Sequence, residues 1–234
     1  MFSVTGHVRS ASQVALLAVH ARMELGDLEG AETSGREWLD TLGPLENHLL
    51  EAVALQSLGA VLGQRGAFAD AREMLVRAVT SFEAQNNPVL EADTRAHLAR
   101  VLLAERDRDG ALREARRAVD LLSFPGYLRI HALATLALAL AAQGPGPEAV
   151  VVAREANALH ESYGGSCRGA SLVRLAYAES LAAAGDVEGA RAAIRTARAA
   201  LLALAERVPS GAERDAFLRG VRENARTLSL AAEM

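Results

Sequence analysis

The stretch that decides the fold runs from Leu58 to Ala78: Leu-Gly-Ala-Val-Leu-Gly-Gln-Arg-Gly-Ala-Phe-Ala-Asp-Ala-Arg-Glu-Met-Leu-Val-Arg-Ala. Leu58 and Leu62 stand one helical turn apart, Gly66 interrupts, and Ala71, Leu75 and Ala78 resume at the i, i+4, i+7 spacing of one helix face. The reading is a helix, a glycine turn and a second helix, with small residues where the two must approach. Few β-branched residues accompany the pattern, and Ala, Leu and Arg, which cost least in a helix, dominate it.

The unit returns along the chain. A third copy has Leu98-Ala99, Leu102, Ala111, Ala115 and Ala118. A fourth has Leu136-Ala137, Leu140, Gly144, Ala149, Ala153 and Ala156, and a fifth has Tyr177-Ala178, Leu181, Gly185, Ala190, Ile194 and Ala197. A looser first copy keeps Gly26 and Ala31 but carries Val19, Gly35 and Trp38. The anchor alanines Ala31, Ala71, Ala111, Ala149 and Ala190 follow one another at 40, 40, 38 and 41 residues. Twelve residues before each of the last four stands Gly59, Ala99, Ala137 or Ala178, which lets the two helices of a pair approach to about 8 Å. Seven residues after them come Ala78, Ala118, Ala156 and Ala197, suited to stacking on the next pair.

This pattern resembles the tetratricopeptide repeat over residues 10 to 208, with a period longer than the family's usual ~34 and therefore longer helices. The expected fold is all-α, a right-handed superhelical solenoid of five helix pairs at about 10–42, 45–85, 88–122, 126–162 and 168–208. An arm at 1–9 precedes them, and a helical cap over the last repeat follows at 209–234. The apolar stripe of that cap is expected from Phe217, Leu218, Val221, Ala225 and Leu228. The runs Gly169-Ala-Ser-Leu-Val-Arg-Leu-Ala-Tyr-Ala-Glu179 and Phe217-Leu-Arg-Gly-Val-Arg-Glu-Asn-Ala-Arg-Thr-Leu228 also resemble the repeat tails of large myxobacterial serine/threonine kinases and ATP-dependent regulators. No kinase glycine-rich loop, His-Arg-Asp or Asp-Phe-Gly accompanies them, so the resemblance carries no kinase activity.

Turn chemistry agrees with the division. Gly26-Asp27, Gly185-Asp186 and Gly144-Pro145 each pair a helix-ending glycine with a helix-starting residue, Asp as N-cap or Pro in the first turn. In the third pair an Asp of Arg106-Asp107-Arg108-Asp109-Gly110 takes the capping role, and Asn86-Asn87-Pro88, Phe124-Pro125-Gly126 and Gly164-Gly165 separate successive pairs.

Charge and chemistry exclude several classes. The 25 basic residues are all arginine and are spread along a chain of net charge −4, which leaves no phosphate-tracking patch and argues against nucleic acid. The absence of lysine suggests a GC-rich bacterial source. A single cysteine, Cys167, rules out an internal disulfide and fits a reducing compartment. No apolar run reaches the ~20 residues of a membrane span, so a cytoplasmic protein without a membrane role is expected. Gly164-Gly-Ser-Cys-Arg-Gly-Ala-Ser171 has the spacing of a phosphate loop but puts Ala170 where the lysine belongs, and reads as a linker with Ser171 as a cap. Asp107-Arg-Asp-Gly110 opens like a calcium loop and lacks the later ligands. The histidines, His7, His20, His48, His97, His131 and His160, never fall at zinc-binding helical spacing. No metal, cofactor or catalytic group is expected.

What the resemblance implies is an inner face, lined by the first helix of each pair, that receives a peptide. Carried onto this chain, the family's groove positions give His20, Gln56, Asp93, Arg100, His131 and Glu179 as principal polar contacts, with Glu24 and Gln64 beside them. Leu16, Met23, Val53, Leu103, Leu138, Leu172 and Leu175 lie between. Mixed charge and recurring leucines suit a protein segment with both charged and apolar groups, and the missing lysines speak against a carboxylate clamp. The expected function is a non-catalytic scaffold or adaptor, with a ligand- or peptide-sensing module of a bacterial signalling or transcriptional regulator as the alternative. Trp38 is expected to fill the space between the first two pairs.

Overall fold

The computed structural model describes residues 2–43, 46–165 and 168–234, with side chains from Ser10 onward. Among them are twelve helices and no strand. They pair as α1 (Phe2–Leu25) with α2 (Leu28–Leu42), α3 (His48–Arg65) with α4 (Phe68–Ala84), and α5 (Pro88–Ala104) with α6 (Arg108–Leu121). Then come α7 (Tyr127–Gln143) with α8 (Pro147–Ser162) and α9 (Ala170–Ala183) with α10 (Val187–Ala205), before the shorter α11 (Gly211–Gly220) and α12 (Arg222–Glu233). Each helix packs on the next, and α1, α3, α5, α7 and α9 also pack on one another in series, which makes the chain an α-helical repeat solenoid.

The anchor alanines occupy equivalent places. Ala31, Ala71, Ala111 and Ala190 are each the fourth residue of the second helix in their pair, and Ala149 is the third; all five are buried. Across from them Ala99, Ala137 and Ala178 are fully buried. At Gly59 the reason for a small residue is direct: a Cβ there would lie 2.7 Å from Leu75 Cγ and 3.2 Å from the carbonyl oxygen of Ala71. The stacking alanines Ala78, Ala118 and Ala156 are likewise sealed between pairs, where each repeat hides a face it does not cover alone.

The two helices of a pair are buried differently. The second helices α2, α4, α6, α8 and α10 bury one narrow stripe, such as Ala111, Ala115 and Ala118 on α6. The first helices α3, α5, α7 and α9 bury residues around most of their circumference, as in the run Leu55 to Leu62 on α3 and Ile130 to Ala137 on α7, whereas α1 buries only Ser12, Val19 and Met23 among its described side chains. A helix buried nearly all round belongs inside, so α3, α5, α7 and α9 form the inner layer.

Turns obey the chemistry of their residues. Gly26, Gly66 and Gly185 end helices at φ of 81°, 87° and 84°, in the left-handed region that glycine enters without a Cβ clash. Arg106 takes the same conformation at φ 67°, and the following Asp107 caps α6 by accepting from Gly110 N at 2.9 Å. Asp27, Asn47, Asn87 and Asp186 cap α2, α3, α5 and α10 in the same way, each contributing about 1 kcal/mol. Two sequence expectations are corrected. Pro145 does not start a helix, because α8 begins at Pro147, which takes the first-turn role after Gly146. Ser171 is not a cap either: it lies inside α9, whose N-cap is Gly169 at φ 78° with no side-chain bond. Trp38 is buried with Leu42 and Ala54, against Leu16, Leu50 and Val53, between the first pair and α3.

Candidate functional site

The C-terminal hairpin turns back across the inner layer. Pro209-Ser210 leaves α10, and Ser210 and Glu213 form a reciprocal capping box that starts α11. Helix α11 crosses to the beginning of the solenoid, where the backbone of Ala216 lies so close to Gly26 that a Cβ on Gly26 would meet its carbonyl oxygen at 2.1 Å. Val221 then reverses the chain into α12, which packs on α9 and α10.

Three residues of α12 reach the repeats. Arg222 donates its backbone N–H to Gln64 Oε1 at 2.9 Å on α3, and its guanidinium lies 4.9 Å above the Phe68 ring. Glu223 accepts from Gln64 Nε2 at 2.9 Å and pairs with Arg100 of α5 at 3.3 Å. Arg226 donates to Glu179 of α9 at 2.8 Å, and Arg191 of α10 donates to the carbonyl oxygen of Met234 at 3.0 Å. Burial alone pushes the Glu223 carboxyl up, but Arg100, the Gln64 amide, its own backbone N–H and Arg222 together hold it below the ordinary carboxylate range. It is therefore charged at neutral pH, as the ion pair with Arg100 requires.

The apolar face of α12 is not the one read from the sequence. Its buried residues are Asn224, Thr227 and Leu230, while Val221, Ala225 and Leu228 stay partly exposed. Leu230 packs against Leu175, Ala178, Ile194 and Ala197, while Asn224 Nδ2 donates to Phe217 O and the Thr227 hydroxyl to Glu223 O, both within the hairpin. Helix α11 buries no residue fully. The hairpin is thus held by charge pairs and a few apolar contacts, a lighter attachment than that between repeats.

Two cavities flank α12. One, of ≈ 550 Å³, lies among α3, α5, α7 and α9 and is lined by Leu103, Leu138, Leu172, Leu175, Glu179 and Arg226. The other, of ≈ 610 Å³, opens toward α1 and the α10–α11 connection, with Met23, Glu24, His131, Arg168, Phe217 and Asn224 in its wall. Gln64, His97, Arg100, Leu172 and Glu223 belong to both and form the partition between them.

Of the residues expected to face a partner, Arg100, His131 and Glu179 line these cavities, and Arg100 and Glu179 are already engaged by α12. His20, Gln56 and Asp93 do not line them. Gln56 donates to Asp93 Oδ2 at 2.6 Å in a pair between α3 and α5, and His20 Nδ1 accepts from Arg168 at 3.1 Å. Among the apolar candidates Met23, Leu103, Leu138, Leu172 and Leu175 face the cavities, whereas Leu16 and Val53 pack on the Trp38 cluster.

Missed by sequence reasoning is a buried histidine cluster tied together by Arg168. The Nε2–H of His131 donates to the Arg168 carbonyl at 2.7 Å, and the same arginine pairs with Glu24 at 3.1 Å. Burial lowers the pKa of His20 to about 4, with Arg168 adding to the effect. His97 is pushed well below its ordinary value by burial and then by Arg100, Arg168, His131 and His20, and His131 is lowered for the same first reason. All three are neutral at pH 7. Nδ1 of His97 and Oδ1 of Asn224 make no hydrogen bond with the described protein atoms. Cys167 lies outside the described residues, as does the His7 side chain; among the described ones no group of three His, Cys, Asp or Glu is placed to hold a metal. No helix of the described residues is long and apolar enough to cross a membrane.

Fold and inner layer together define an all-α helical-repeat protein whose helices α3, α5, α7 and α9 line the larger part of one cavity. Comparison with solved structures agrees on the architecture. Two crystal structures of a putative kinesin light chain from Podosopora anserina, with nearly identical TPR-like repeats, superpose with TM-scores of 0.59 and 0.58 at 16% and 17% identity. They cover 86% and 87% of this chain and 97% and 98% of theirs. Yeast Tom70 matches at a TM-score of 0.49 and 17% identity, over 95% of this chain and 39% of its own. At these identities the likeness is one of fold, a TPR-like helical repeat. No protein-family model matches the sequence, and neither does any curated protein.

Proposed function

We propose that the chain is a non-catalytic interaction scaffold or adaptor that holds a segment of another protein against its inner face. The observation that carries this reading is the combination at that face: Leu103 and Leu138 stay partly accessible in a cavity whose wall also holds the buried Leu172 and Leu175 and, at two separate points, Arg100 and Glu179. An apolar floor with opposite charges at two points is the chemistry that fixes both the affinity and the register of a bound segment.

The test is site-specific photocrosslinking in the protein's own host. A photoreactive residue at Leu138, on the inner face, is expected to yield adducts that map to a defined segment of a second protein; the same probe at Val151, on the outer helix α8, is expected to yield none. Adducts equally frequent at Val151, or adducts at Leu138 confined to this chain, would refute the reading.

A second reading, a sensor of small ligands, draws on the ≈ 610 Å³ cavity, whose wall combines His97, His131, Arg168 and Asn224 with Met23 and Phe217. A metabolite panel that raises the melting temperature of the native protein, and no longer does so with His97→Phe, supports it over the scaffold.

A further inference from the structure

The inner face already contains a helix, and that helix describes the ligand the face selects. Along α12 an acidic residue, Glu223, meets Arg100; three positions on, Arg226 meets Glu179; and seven positions on, Leu230 enters the apolar cluster of Leu175, Ala178, Ile194 and Ala197. Offsets of three and seven put all three side chains on one helical face, the pattern by which an amphipathic helix lies in a groove.

We infer that the partner segment is itself an amphipathic helix carrying an acidic residue, a basic residue three positions later and an apolar residue seven positions later, and that α12 is the built-in competitor it displaces. This rests on the inner-face reading proposed above and adds the partner's chemistry to it.

Three observations support displacement. Only Leu230 among the apolar residues of α12 is buried, the rest of its attachment being polar, and α11, which delivers α12, has no fully buried residue. Cavities remain on both sides of α12, so it does not fill the face it covers. The buried polar groups of the hairpin are bonded mainly within the hairpin, so lifting it away as a unit leaves Asn224 Nδ2 and Thr227 paired as they are now. A tethered helix on a short connection competes at an effective concentration in the millimolar range, which weakens the apparent affinity of any partner in proportion.

The experiment uses the full chain and a fluorescein-labelled synthetic peptide of residues 211–234. Fluorescence anisotropy is measured for the unaltered protein and for one carrying Glu223→Ala, Arg226→Ala and Leu230→Ala, which loosens α12 and leaves the inner face intact. The peptide is expected to bind the loosened protein at least ~10-fold more tightly, as removal of a tethered competitor requires. On that background Arg100→Glu with Glu179→Arg is expected to abolish binding, and a peptide with Glu223→Arg and Arg226→Glu to restore it. If the triple variant loses helicity, Gly26→Ala, which crowds α11 alone, takes its place. Equal binding to both proteins, no binding to a folded loosened protein, or indifference to the charge exchange would each overturn the inference. So would a concentration-dependent dimer of the unaltered chain that exchanges α12, since the occupant would then be a second copy. A foreign segment of different pattern crosslinked at Leu138 would sink this inference and leave the scaffold reading standing.

Discussion

Gly26 and Gly185 offer a matched pair of substitutions that isolates the docking of the C-terminal hairpin. Both glycines end the first helix of a repeat, both precede a capping aspartate, and their φ angles are 81° and 84°. Alanine at either position pays the left-handed conformation, ~1–2 kcal/mol. At Gly185 nothing lies within 4 Å of the added Cβ, whereas at Gly26 it would sit 2.1 Å from Ala216 O and 2.4 Å from its carbonyl carbon. Backbone atoms do not swing aside, so α11 must shift by about an ångström or leave; overpacking of this kind costs a further ~1–3 kcal/mol. The extra cost cannot exceed the docking free energy of the hairpin, because detachment is always the alternative. For a chain of this size ~1 kcal/mol lowers the melting temperature by roughly 2–4 °C. Gly185→Ala should therefore lose roughly 4 °C and Gly26→Ala roughly 8 °C by circular dichroism. Hydrogen exchange should show amides of 211–233 losing protection in Gly26→Ala only. Equal melting temperatures and unchanged exchange in both variants would refute the placement of α11 against α1.

Acidification should destabilise the protein before its carboxylates titrate. His20 has its pKa lowered from 6.5 to about 4, so the stability it supports is complete above pH 6.5 and is lost as pH falls toward 4, ~3 kcal/mol over that window. His97 and His131 act in the same direction, and Glu24, raised by burial, acts in the opposite one. Denaturant midpoints at pH 7.5 and pH 5 measure the slope, and His20→Gln should flatten it; an unchanged slope would place His20 in solvent. Gly59→Ala should cost ~1–3 kcal/mol, although alanine is the better helix former by about 1, because its Cβ meets Leu75; pairing it with Leu75→Ala should cost less than the two single losses added. Asp107→Ala should cost about 1 kcal/mol in urea unfolding by removing the α6 cap, and a loss no larger than at uncapped Ala67→Ser would contradict that role.

The repeat architecture was legible because it is written locally. The alanines at forty-residue intervals, the glycine turns and the capping aspartates report contacts between neighbours in sequence, and the structure places them as that pattern required. The hairpin α11–α12 was legible as two helices, but its destination was not. Gln64 bonds Glu223, and Arg168 bonds His20, across 159 and 148 positions, and no periodicity carries such a pairing. For the same reason the outward-looking reading of Arg100 and Glu179 missed their present ion pairs. Arg168 itself drew no notice, sitting in a linker whose glycines suggested only a break. Gln56 and Asp93, taken from the positions that face a peptide in related repeats, satisfy each other between adjacent inner helices instead.

The contact between Ala216 and Gly26 fastens the last segment of the chain to the first repeat. An array of stacked units ordinarily frays from its ends, each unit answering only to its neighbours. Here the first pair has a second neighbour besides α3: loosening that pair loosens the seat of α11 as well. Melting of the outermost repeat therefore removes one of the contacts that hold α11 in place, and the hairpin then rests on the bonds of α12 alone.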